Sequence, residues 1–179
     1  LGGMNIMLSE ATGITVPQMK AQLNAIAGTA LSAIRNRRSR IAYLFAYNNG
    51  PGLVFGGDAR NYVDFFDAFV FAGETPDVYG EEIFRRDVTP EKYPLLVVPM
   101  TPCVDPATYE HFKKYVAAGG TAIVTDGTFL RTTTRYQSTD FENYLKKGDF
   151  GKGKVVVFSS KDELKDLIGK VREYMPEQA

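Results

Sequence analysis

The sequence is most informative first in what it lacks. It holds one cysteine, Cys103, and one histidine, His111, among 179 residues. An internal disulfide framework is thereby excluded, as are the clustered His/Cys sites that usually hold zinc. There is no tryptophan and no surplus of either charge, with 21 Lys and Arg against 21 Asp and Glu. A chain that neutralises many phosphates carries a basic excess, so nucleic acid is not an expected partner. No apolar run reaches the 18 residues of a membrane span, and no basic stretch followed by an apolar core marks a signal peptide, so no membrane partner is expected either. One cysteine leaves the compartment open. A chain opening on Leu1 in place of Met is expected to be a processed product or a piece of something longer.

What is present is ordinary globular composition, 44% hydrophobic and 23% charged, in a length that suits one domain with a real core. Residues 1–15 read as a loose lead-in. Thr15 and Pro17 then suit a helix start, and Met19, Leu23, Ile26, Ala30 and Ile34 form one apolar stripe. The helix closes on Arg35, Arg37, Arg38 and Arg40, a solvated face that also favours the helix dipole, with an anion patch as the alternative. Residues 1–38 are accordingly a lead-in and amphipathic linker helix, and 39–179 an α/β domain.

Within that domain IAYLFAY (41–47) reads as a buried strand. Asp58 can cap a helix with Tyr62, Phe65, Phe66, Phe69 and Val70 facing inward, ended by Gly73. Short Asp77–Tyr79, strong YPLLVVPM (93–100), TAIVTD (121–126) and KVVVF (154–158) are further strands. Helices are expected from Asp105 or Pro106 through Tyr109, Phe112, Val116 and Ala117 to Gly119-Gly120 and from Lys161 to about Tyr174, and a polar stretch with room for a short helix or strand runs from Arg131 to Gly153. Near-continuous apolar strands alternating with helices predict a mainly parallel sheet covered on both faces, a three-layer α/β/α sandwich of the flavodoxin-like or class I glutamine amidotransferase-like kind.

In such sheets ligands bind beyond the C-terminal strand ends, which directs attention to 48–58, 101–105 and 126–131. Gly50, Gly52, Gly56 and Gly57 fit neither a dinucleotide fingerprint nor a P-loop, so no cofactor is expected. Cys103 follows a strand, but His111 lies two helical turns away along the axis, and a thiolate nucleophile needs a nearby base. Of the acidic residues Asp58, Glu74, Glu81, Glu82, Asp87, Asp105, Asp126, Asp140 and Glu142, Asp126 stands at a strand end beside Gly127, as a site residue or as a turn cap. A pair of carboxylates for glycoside hydrolysis cannot be recognised from spacing alone.

The segment YPLLVVPMTPCVDPATYEHFKKYVAAGGTAIVTDGT resembles a class I glutamine amidotransferase-like domain, and most of all the trimerisation domain of family 42 β-galactosidases. The matching parts are Leu95–Pro99, Pro106–Val116, and Gly119-Gly120-Thr121 with the strand that follows. IRNRRSRIAYLFAYNN and GKGKVVVF extend the likeness over residues 30–174. Amidotransferases carry a nucleophilic cysteine in a G-x-C-x-G elbow with a later histidine and glutamate. The corresponding TDGT (125–128) has no cysteine, and no histidine follows residue 111. The resemblance therefore implies a non-catalytic accessory domain that helps to assemble an oligomer, with the remainder of a glycoside hydrolase chain or further copies of itself as partners. A sugar- or small-ligand-binding module built from Asn48, Asn49, Asp126, Arg131 and Tyr136 is the second expectation. The third is a stand-alone hydrolase using Cys103 or Asp126.

Overall fold

The apolar runs become the strands of one sheet. A computed structural model describes residues 39–46, 66, 69, 74, 76–135, 137–159 and 164–174. Its elements are β1 (Ile41–Phe45), β2 (Asp77–Gly80), α1 (Glu81–Asp87), β3 (Leu95–Val98), β4 (Cys103–Val104), α2 (Pro106–Ala117), β5 (Thr121–Thr125), β6 (Arg131–Thr132), α3 (Phe141–Lys147), β7 (Lys154–Phe158) and α4 (Leu164–Tyr174). Five strands pair in parallel in the order β2-β1-β3-β5-β7. Numbered along the chain, these five run 2-1-3-4-5, the flavodoxin-like doubly wound order. This is the architecture that the alternating pattern predicts.

Successive strand residues point to opposite faces, so continuous apolar runs supply two cores. Ala42, Leu44, Leu96, Val98, Ala122 and Val124 pack with Phe84 of α1, Phe112 and Val116 of α2, and Phe141 of α3. Ile41, Tyr43, Leu95, Val97 and Ile123 pack on the other side with Val171 of α4 and with Phe69, which is helical. The expected stripe with Phe66 and Phe69 is met where it is described: both rings stand edge-on to Tyr43, at 5.8 and 6.3 Å. The rest of that helix, its Asp58 cap and the helix of residues 1–38 lie outside the described residues.

Helix α2 begins as its sequence predicts. The Asp105 carboxylate accepts from the Ala107 N–H at 2.8 Å and Pro106 fills the first position, where no N–H is needed. Beyond its last turn Gly119 takes φ +120°, a conformation that favours glycine.

Two features show no periodic signal in the sequence. Helix α1 carries only Ile83 and Phe84 as apolar residues, too few to show a period. Tertiary contacts hold it. Phe84 is fully buried, the Glu81 carboxylate accepts from the Asp105 N–H at 2.8 Å, and Arg85 donates to the Thr108 hydroxyl at 3.0 Å. The second feature is a two-stranded parallel sheet, β4 with β6, in which Cys103 faces Arg131 and Val104 faces Thr132. It ties the loop after β3 to the loop after β5, and the polar stretch beyond resolves into a turn and α3.

Candidate functional site

The C-terminal ends of β3 and β5 are joined by threonines rather than left open. After β5, the Thr128 N–H donates to the Thr125 carbonyl at 3.3 Å, and Gly127 at φ +78° makes the turn possible. The Thr125 and Thr128 hydroxyls lie 3.2 Å apart, and the Thr101 N–H donates to Thr128 Oγ1 at 3.4 Å. The Thr101 hydroxyl donates to the Pro99 carbonyl. Phe129 and Arg131 N–H groups then donate to the carbonyls of Thr101 (2.7 Å) and Pro102 (2.9 Å). These threonines are buried, so their hydroxyls need partners, and the network supplies them.

Asp126 is exposed beside this turn, with its N–H donating to the Phe158 carbonyl at 3.1 Å. It lines a cleft of about 340 Å³ with Asp140 and Glu142 as further carboxylates and Leu130 and Val157 as apolar walls. Leu130 and Val157 are 48% and 45% exposed. Glu142 forms an exposed pair with Lys146 at 3.8 Å, and the Asp140 carboxylate accepts from the Asn143 amide. Arg131 is exposed in β6, opposite Cys103 in the pairing register. Asn48, Asn49 and Tyr136 lie outside the described residues.

The Cys103 environment does not favour a thiolate. Burial pushes the thiol up, and the charge of Glu81 adds to that, while Arg131 opposes it. His111, the only histidine, is committed elsewhere: its ring stands edge-on to Phe84 at 4.8 Å, and its Nε2 donates to the Val88 carbonyl at 3.0 Å. Cys103 is therefore expected to react with iodoacetamide more slowly than glutathione at the same mildly alkaline pH, accelerating as pH rises. A rate equal to or above that of glutathione contradicts this environment. Among the described residues no three His, Cys, Asp or Glu side chains gather as metal ligands.

A larger groove, about 680 Å³, runs between α2, α3 and the segment after β6. It shares Asp140 and Asn143 with the Asp126 cleft and adds Tyr109, Gln137 and Tyr144. None of these residues except Asp140 stands out in the sequence as chemistry-bearing. The only signal is the spacing of Phe141, Tyr144 and Leu145, one helical face within a polar stretch.

No protein-family model and no curated protein matches the sequence. Solved structures do match. An exo-carrageenase GH42 from Bacteroides ovatus superposes with a TM-score of 0.60 at 24% identity, covering 86% of this chain and 20% of that one. The fold is shared with that protein. A beta-galactosidase from Bifidobacterium adolescentis aligns at TM-score 0.47 and 20% identity over 57% of this chain and 46% of that one. A catalytic mutant of Gan42B, a GH42 beta-galactosidase from G. stearothermophilus, aligns at 0.47 and 26% over 65% of this chain and 17% of that one. The chain thus spans a fifth of the carrageenase and under half of the others.

Proposed function

We propose that this chain is a non-catalytic accessory domain of a larger, β-galactosidase-like glycoside hydrolase related to GH42, lies outside the segment that performs the sugar chemistry, and helps to assemble the oligomer. The observation that carries this reading is the match of 86% of the chain to a fifth of the carrageenase, at a TM-score of 0.60. That proportion is what one domain of a multidomain enzyme gives. Supporting it, the turn after β5 reads TDGT, without the cysteine that an amidotransferase elbow carries, and His111 is held against α1. Apolar side chains that an assembly could cover stand at the edge of the described sheet, Val78 of β2 at 48% exposure and Ile83 of α1 at 41%.

The test is hydrolysis of chromogenic β-galactosides and of carrageenan by the purified chain. No turnover above that of a heat-denatured sample is the expected result. Measurable turnover that is abolished by Asp126→Asn or Cys103→Ala would move the chain to the stand-alone hydrolase reading.

A further inference from the structure

The groove between α2 and α3 contains a polar group that no described residue uses. Tyr109 is 5% exposed, and its ring is fixed by Phe129 at 5.5 Å and Phe141 at 6.2 Å. Its hydroxyl has no hydrogen-bond partner among the described residues. Buried phenol hydroxyls normally find one. Burial raises the phenol well above its ordinary range, and the charges and dipoles of Asp140, Tyr144 and Glu110 add to this. All three of those residues line the groove together with Tyr109.

The other groups restrict what would satisfy that hydroxyl. The groove's acidic residues, Glu110 and Asp140, are balanced by Lys113 and Lys147, and Lys113 is already engaged with Glu110 at 2.7 Å and with the Tyr109 ring at 4.8 Å. A phosphate or other anion therefore finds no surplus of cations. What remains is neutral and mixed in sign: the amides of Gln137 and Asn143, the phenol of Tyr109, and the half-buried Tyr144 ring as an apolar wall. A ligand that complements this set offers many hydroxyls, each donor and acceptor, on a framework with an apolar C–H face. The volume, about 680 Å³, falls within the roughly 300–1,000 Å³ of small-molecule sites.

We propose that this groove is a saccharide-binding site, in which the Tyr109 hydroxyl and the Asn143 amide bond sugar hydroxyls and the Tyr144 ring packs against the sugar's C–H face. The site adjoins the Asp126 cleft, sharing Ser138, Thr139, Asp140 and Asn143 with it, and is distinguished from it by Tyr109 and Tyr144; it stands whether or not the chain assembles with others.

The test uses Tyr109→Phe, which removes only the unpartnered oxygen and leaves the ring contacts. Its melting temperature is expected to equal or slightly exceed that of the unsubstituted protein, because no bond to a described residue is lost. Galactotetraose and cellotetraose are titrated at millimolar concentration into isotope-labelled protein and followed by NMR. At least one of them is expected to shift the Asn143 side-chain amide, and Tyr109→Phe to weaken that binding about three- to tenfold, the cost of one neutral hydrogen bond. Asn143→Ala, at an exposed position and followed through the backbone amides of α3, provides a second variant with the same expected loss. Absence of binding by both sugars, unchanged affinity in Tyr109→Phe, or shifts confined to Asp126–Leu130 would each overturn the proposal.

Discussion

Gly153→Ala is expected to destabilise the protein by about 3 kcal/mol, a fall in melting temperature of roughly 6–12 °C for a domain of this size. A methyl group at this position would stand 2.0 Å from the Val116 carbonyl oxygen and 2.4 Å from that of Gly120. Both are backbone atoms at the junction of α2, β5 and β7, and neither can move as the end of a flexible side chain would. The Gly153 N–H also donates to Phe150 at 3.2 Å, and the Lys154 N–H to Gly120 at 3.2 Å, so a shift of the chain there breaks the entry to β7. Gly169→Ala supplies the contrast. That glycine is in α4, and a methyl added there meets nothing within 4 Å. It is expected to stabilise by about 0.5–1 kcal/mol, through helix propensity and a less flexible unfolded chain. Thermal unfolding followed by circular dichroism measures both. Equal melting temperatures for the two variants would contradict the packing at Gly153.

Phe112→Ala is expected to cost about 3–5 kcal/mol, the usual range for removing a buried phenyl ring. Phe112 is fully buried, and its ring lies 4.7 Å from Phe129, 6.0 Å from Phe141 and 6.4 Å from Tyr144. With Tyr109 it is a shared neighbour through which α2 supports both the loop after β5 and α3. A large drop in the urea midpoint with little change in slope is the expected result, because the residual cavity changes stability more than exposed area. Phe112→Leu, which leaves a smaller cavity, is expected to recover part of the loss. A midpoint within experimental scatter of the unsubstituted protein would mean that the aromatic cluster does not carry the packing assigned to it.

The sequence discloses some of these elements and hides others, for physical reasons. Strands β3 and β5 are legible because strands buried on both faces need continuous apolar runs, and LLVV and TAIVT supply them, while the half-exposed edge strand β7 is legible from the run KVVVF. Helix α2 is legible from the Asp105-Pro106 start and the Gly119-Gly120 stop, which the structure uses as cap and terminator. Helix α1 is not, since its seven residues are held by Phe84, Glu81 and Arg85 reaching distant partners. Strands of two residues, such as β4 and β6, have no period to detect.

The same limit applies to the candidate sites. Asp126 is found by a topological rule, because functional groups collect at C-terminal strand ends. Tyr109 falls within the helix expected after Pro106, and the structure buries its ring. Helical periodicity assigns a side chain to a face but does not say where its far end emerges. Tyr109 lines a groove whose other wall is α3, a helix set in the polar stretch after β6.

The assembly role is tested most directly by the mass of the purified chain in solution, measured by light scattering across a range of protein concentrations. A defined multiple of the 19.8 kDa protomer is the expected result. A mass of one protomer that does not change as concentration rises would contradict assembly through this domain.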